Sequence, residues 1–247
     1  TELSGHIDNF DEFYIEISYP SPHFKDIYAN VLKMRKSHQT NLKISIFITS
    51  SSTDQFFHGN CEINCVKFDK NVQKIESLGF NGSFEGCISL SRVIISASIK
   101  TIGAYSFKGC LSLLSVNIPS SVISIDDWSF SDCISLLFVE ISPSVIHVGS
   151  NCFNGCKSLC NIEFSASLSS IKYGMFYDCC SLSSFEIPPS VKVIESNAFE
   201  GCLNLRRIEI PSSVTVIEYS AFSGCCSLTN VSIPDSVESI GCSVFNE

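Results

Sequence analysis

The sequence is short of positive charge: 16 lysines and arginines face 25 aspartates and glutamates in 247 residues, for a formal net charge of −9. Binding nucleic acid requires a basic footprint that displaces counterions from phosphates, so nucleic acid is excluded as an expected partner and a basic or neutral protein is favoured. No run of about eighteen apolar residues occurs, which excludes a helical membrane span in this stretch. Catalytic signatures are missing as well. There is no GxSxG elbow, HExxH helix, Walker loop or dinucleotide fingerprint. The five histidines, His6, His23, His38, His58 and His147, are scattered, and only His147 falls in the regular part of the chain, beside Val148. The expectation is a protein that is not an enzyme and needs no cofactor.

Fourteen cysteines are present, yet the paired Cys-x-x-Cys knuckles of a zinc site are not. His58, Cys61 and Cys65, and the evenly spaced Cys152, Cys156 and Cys160, offer only loose ligand-like spacing, so no metal is expected. A Cys61–Cys65 bridge stays open as an alternative to two free thiols. An initiator methionine is also missing: the chain begins at Thr1 and stops at Glu247, inside a sequence unit. Stacked repeats need a polar cap at each end, so a processed chain or a piece of a longer one is expected, with its C-terminal cap missing.

What the sequence does have is a period. Phe84, Phe107, Phe130, Phe153, Phe176, Phe199, Phe222 and Phe245 are spaced 23 residues apart without slippage. Seven of them open a cassette such as Phe107-Lys-Gly-Cys-Leu-Ser-Leu113 or Phe199-Glu-Gly-Cys-Leu-Asn-Leu205. An alternating stretch such as Ile208-Glu209-Ile210 follows, in the two-residue period of a strand of about five residues, with Pro119, Pro188, Pro211 and Pro234 at its end. A constant spacing is what a stack of coils requires, because each turn sets its apolar side chains over those below.

Two more columns describe turns. The position two after each cassette phenylalanine is Gly86, Gly109, Asp132, Gly155, Asp178, Gly201 or Gly224, a choice expected where φ is positive. Ser98, Ser121, Ser144, Ser167, Ser190, Ser213 and Ser236 precede the second apolar segment, where a hydroxyl is placed to bond backbone groups left unpaired by the turn. Cys87, Cys110, Cys133, Cys156, Cys179, Cys202 and Cys225 form a third column. Their Cβ vectors should all point the same way, a geometry that disfavours bridging and makes them small core residues.

The run Ile210-Pro-Ser-Ser-Val214…Ile217…Ala221-Phe222-Ser-Gly-Cys225…Leu228 resembles the BspA-type leucine-rich repeat of bacterial surface proteins and of large families in parasitic protists, over about residues 66 to 247. The resemblance implies a leucine-rich-repeat solenoid of about eight turns, with a concave parallel β-sheet, an irregular or short extended convex side, and a role in adhesion or ligand binding. It points to the cell surface or secretion. Abundant free thiols point the other way, to a reducing cytoplasm.

Residues 1–65 break the period and are expected to form a strand–helix–strand cap. Phe13–Tyr19 alternates, Phe24 to Lys36 has amphipathic spacing, and Leu42–Ile48 alternates again. The repeats then occupy 66–247. The first, with Phe68, Val72, Ile75 and Phe80 on the template, carries a four-residue insertion near Asn81-Gly82-Ser83.

A partner would meet the outward positions of the strands, which the scaffold leaves free. One column reads Arg92, Ser115, Phe138, Asn161, Ser184, Arg207, Asn230, and the other Ile94, Asn117, Glu140, Glu163, Glu186, Glu209, Ser232. Arg92, Asn117, Phe138, Glu140, Glu163, Glu186, Arg207 and Glu209 are the candidate contacts. Four stacked glutamates should repel one another. They fit a basic segment of a partner, a divalent cation, or a solvated face without a role. Leu137 and Phe138 beside Glu140 supply an apolar anchor. Asn81-Gly-Ser and Asn230-Val-Ser are glycosylation sequons of a kind common by chance.

Overall fold

The computed structural model describes residues 14–19, 24–38, 43–49, 57–75, 77–78, 81–164 and 168–246. Phe80 and Ser167, which the sequence places in the repeat pattern, lie outside these residues. The chain winds into a solenoid of short parallel strands. Ile63–Phe68, Arg92–Ile94, Ser115–Ile118, Phe138–Ile141, Asn161–Phe164, Ser184–Glu186 and Arg207–Glu209 line the concave side. Their register follows the period, with Val139 between Val116 and Ile162. Tyr14–Tyr19 and Lys43–Ile48 add two parallel strands ahead of Ile63–Phe68, and the helix Phe24–His38 buries Tyr28 and Val31 in the common core.

The strands are three or four residues long in the regular turns, shorter than their alternation suggests. A second ladder compensates. Two-residue strands such as Thr101–Ile102, Ser124–Ile125 and His147–Val148 also pair in parallel, one turn on the next. The second apolar segment of each unit therefore has bonded edges as well as a buried side chain.

Columns of like residues fill the interior. Successive phenylalanine rings from Phe57 to Phe245 lie 5.2–5.9 Å apart and nearly parallel. Phe57 is thus the first member, offset 27 residues from Phe84 instead of 23. The extra four residues surface as the antiparallel pair Ser77–Leu78 and Asn81–Gly82, where the sequence places the insertion. On either side the ladders stay in step, with Val66 opposite Val93 and Lys74 opposite Thr101.

The cysteine column does more than fill volume. Each of its seven thiols donates to the carbonyl of the phenylalanine one turn back, at 2.9–3.2 Å, as Cys133 does to Phe107. Burial pushes Cys87 and Cys225 up to about 12 from the usual 9.0, and carries Cys110, Cys156 and Cys202 well above it. A thiolate there would lose water and the bond its proton makes to the carbonyl, and the single backbone N–H beside each sulfur only partly offsets that loss.

The turn columns behave as their chemistry predicts. Gly86, Gly109, Asp132, Gly155, Asp178, Gly201 and Gly224 all have positive φ. Ser98, Ser144, Ser190 and Ser236 donate to the carbonyls of Val72, Val122, Leu168 and Val214, while the buried Ser121 and Ser213 hydroxyls have no partner among the described residues. A second left-handed column escapes the sequence reading: Tyr105, Trp128, Asn151, Gly174, Asn197, Ser220 and Ser243. Its residue types are too mixed to announce a shared backbone state.

Candidate functional site

Alternation fixes the site. On Phe138–Ile141, Val139 and Ile141 point into the core and Phe138 and Glu140 point out, and the same split recurs turn after turn. Arg92, Asn117, Phe138, Glu140, Glu163, Glu186, Arg207 and Glu209 are accordingly all exposed on the concave strands. Register brings several together. Asn117 stands opposite Glu140, Glu140 opposite Glu163, and Glu186 opposite Glu209. Phe138 lies between Ser115 and Asn161, and Arg207 opposite Ser184. Arg92 is further up the stack, opposite Cys65.

Little offsets the repulsion in the glutamate row. The Arg207 guanidinium is 3.8 Å from the Glu209 carboxylate, but the two side chains are 83% and 92% exposed. Such a solvated pair contributes at most about 1 kcal/mol. The row also frames shallow depressions. One of about 230 Å³ is lined by Asn117, Glu140 and Glu163, one of about 380 Å³ by Asn161, Glu163 and Glu186, and one of about 400 Å³ by Glu186, Arg207 and Glu209. A fourth, of about 1000 Å³, lies between Arg206–Ile210 and Thr229–Ser232. A surface that alternates carboxylates with hollows can hold the cationic side chains of a long ligand.

The cysteine clusters are not assembled as ligand sets. Cys152 and Cys156 are buried whereas Cys160 is exposed, and Cys65 is buried whereas Cys61 is exposed. Cys61 and Cys65 are unbridged. Among the described residues, no group of three His, Cys, Asp or Glu side chains is placed to hold a metal ion. His147 is exposed on its two-residue strand. Among the described residues, no helix is long and apolar enough to cross a membrane.

One exposed set extends the apolar anchor at Leu137 beyond what the sequence marked out. Ile88, Leu111 and Ile134, within the cassettes, and Leu114 and Leu137, just before the strands, point outward. Each follows an inward residue closely, so spacing alone does not separate the two orientations.

A family profile described as a BspA type leucine rich repeat region matches in six copies over residues 81–202 and 170–247. No curated protein matches the sequence. Among solved structures, a leucine-rich repeat protein from Eubacterium ventriosum is similar at 21% identity and a TM-score of 0.65, over 83% of this chain and 59% of that one. This chain therefore spans less than two thirds of that protein. A leucine-rich repeat protein of T. pallidum is similar at 20% identity and a TM-score of 0.53, over 92% and 88% of the two chains. A leucine rich cell surface protein from Faecalibacterium prausnitzii is similar at 26% identity and a TM-score of 0.50, over 79% and 67%. The stacked 23-residue turns and the matched repeats, which cover more than half of the sequence, agree, and this chain belongs to the BspA-type leucine-rich-repeat family.

Proposed function

We propose that this chain is a non-catalytic protein-binding module, displayed at the cell surface or secreted for adhesion or recognition, and that its partner sits on the concave sheet. In this reading residues 1–65 cap the array and residues 66–247 present the face. The carrying observation is the row Glu140, Glu163, Glu186 and Glu209, exposed on successive strands and weakly offset. Like charges held side by side lose stability that a cationic partner restores. Arg92, Asn117, Phe138 and Arg207 border the row and complete the proposed contact set. The cell surface protein among its structural relatives supports display outside the cell.

Replacing the four glutamates by lysine is expected to leave the circular-dichroism spectrum intact and to abolish retention of partners from a lysate. Unchanged retention removes the acidic face from the reading.

The alternative is an intracellular scaffold that assembles protein partners through the same face. The thiol column favours it, because seven reduced cysteines each donate a hydrogen bond that oxidation would remove. Antibody labelling of intact against permeabilised cells separates the two: labelling only after permeabilisation rejects surface display.

A further inference from the structure

The concave ladder is not continuous. Arg207–Glu209 pairs with Ser184–Glu186 on one side, and among the described residues no backbone hydrogen bond joins its other side to the next turn. Leu137 N–H donates to the Leu114 carbonyl, Cys160 N–H to Leu137 and Arg206 N–H to Ser183, whereas Thr229, at the same repeat position, makes no such bond to Arg206. Residues 229–233, which should extend the sheet, form no strand. Their inward side chains are also less covered: Ile208 and Ile210 are buried, while Val231 is half-buried and Ile233 exposed. Yet the turn is fixed on both flanks. Ser227 N–H donates to the Leu203 carbonyl before the gap, and Glu238 N–H to that of Thr215 after it.

The hollow of about 1000 Å³ lies in this gap, walled by residues 206–210 and 229–232. A strand residue fills about 160 Å³, from a rise of about 3.3 Å, a strand spacing of about 4.8 Å and a sheet spacing of about 10 Å, so about four residues fit with room to spare. The ladder also parts between Arg92–Ile94 and Ser115–Ile118 and between Asn161–Phe164 and Ser184–Glu186. At the latter the hollow is about 380 Å³, room for only about two residues.

Main-chain N–H and C=O groups left without partners cost free energy, and an open strand edge recruits another strand. We infer that this hollow takes an extended segment of a partner protein, added as a strand parallel to Arg207–Glu209. The inference rests on the protein-binding reading above but not on the acidic row, because main-chain pairing supplies the hold and the row contributes only Glu209. Side chains then set the sequence of the segment. On the open strand Arg207 and Glu209 point outward and Ile208 inward. A parallel segment in register therefore sets an acidic residue opposite Arg207, an apolar one opposite Ile208 and a basic one opposite Glu209, since opposite charges across a sheet attract. The Arg207 and Glu209 side chains are 83% and 92% exposed and only weakly paired with each other, so both are open to such contacts.

The probe is a fluorescein-labelled synthetic peptide with the core glutamate–valine–lysine between threonines, read by fluorescence anisotropy on the full chain. Binding is expected, and a copy N-methylated throughout its core, which keeps the side chains and loses the donors, is expected not to bind. Arg207→Glu should weaken binding about threefold, and a peptide with lysine in place of its glutamate should recover it. That variant alters an exposed side chain and should keep its circular-dichroism spectrum. Hydrogen exchange adds a readout of pairing itself. The gap-facing amides of Arg207–Glu209 are expected to exchange fast in the free chain and slowly once the peptide is bound. No binding, equal binding by the methylated copy, or no recovery by the swapped peptide overturns the inference. So does slow exchange in the free chain, which would mean that residues 229–233 close the gap themselves. Failure here leaves lysate retention through Glu140, Glu163 and Glu186 standing, and loss of that retention with peptide binding intact leaves the hollow standing.

Discussion

Interior turns and the last turn described are built from the same sequence pattern and end up in different environments. Phe153 is fully buried between Phe130 and Phe176, whereas Phe245, with Phe222 on one side only, is 42% exposed. Ile240 and Ile233 are exposed too, although their counterparts Ile217 and Ile210 are buried. At the other end Phe57 is as buried as any interior ring. In a stack, then, a residue's burial depends less on its own turn than on having a neighbour on both sides, and stability is shared across interfaces between turns.

That contrast can be broken most forcefully with alkali. Interior thiols are held neutral while Cys226 and Cys242, on the last turns, are exposed. Because folding raises the pKa of the buried thiols, their contribution is complete below the usual 9.0 and is lost as pH climbs from there through about 12, the value for Cys87 and Cys225. Each therefore costs stability progressively over that window, and together they are expected to destabilise the array as pH rises above about 9. A melting temperature unchanged from pH 8 to 10.5 would contradict this.

Next in size is the phenylalanine column itself. Phe153→Ala is expected to lower unfolding stability by about 4 kcal/mol in a denaturant titration. Phe245→Ala should lower it by less than about 1 kcal/mol, since a ring still partly in water forfeits less on removal. Similar losses at the two positions would refute the two-neighbour account. A milder test counts reactive thiols in the native protein at pH 8 with a chromogenic disulfide. Cys61, Cys160, Cys226 and Cys242 are expected to react at once and the seven column thiols only after unfolding. Early reaction of the column would show that the interior opens.

The smallest effect concerns the serine column. Ser144→Ala should cost about 1 kcal/mol, because it removes the bond to Val122. Ser121→Ala should be neutral or slightly stabilising, because its buried hydroxyl has no partner. Equal costs at both positions would mean that the hydroxyl bond is not what the column supplies.

The sequence shows this architecture readily because a column must repeat its chemistry. The phenylalanines, the Gly/Asp turns and the four-residue insertion were all visible as departures from or returns to a 23-residue count. Hidden instead was whatever depends on direction rather than spacing. Leu111 and Leu113 differ by two residues and face opposite ways, one into water and one into the core, and Tyr105 and Trp128 share a backbone state with Asn151 and Gly174 that their side chains do not advertise. Nor did the cysteines reveal in sequence that their hydrogens are committed to carbonyls, since a thiol in a core satisfies the apolar pattern equally well. The glutamate row was legible as a row. What it holds is a question of chemistry outside the chain, which no internal period encodes.

The antiparallel pair Ser77–Leu78 and Asn81–Gly82 leaves the count of every later turn untouched. Length can thus vary at this corner while the addresses of Phe138 or Glu140 stay fixed. A foreign peptide grafted between these strands would leave the register of the inner surface as it is, strand against strand.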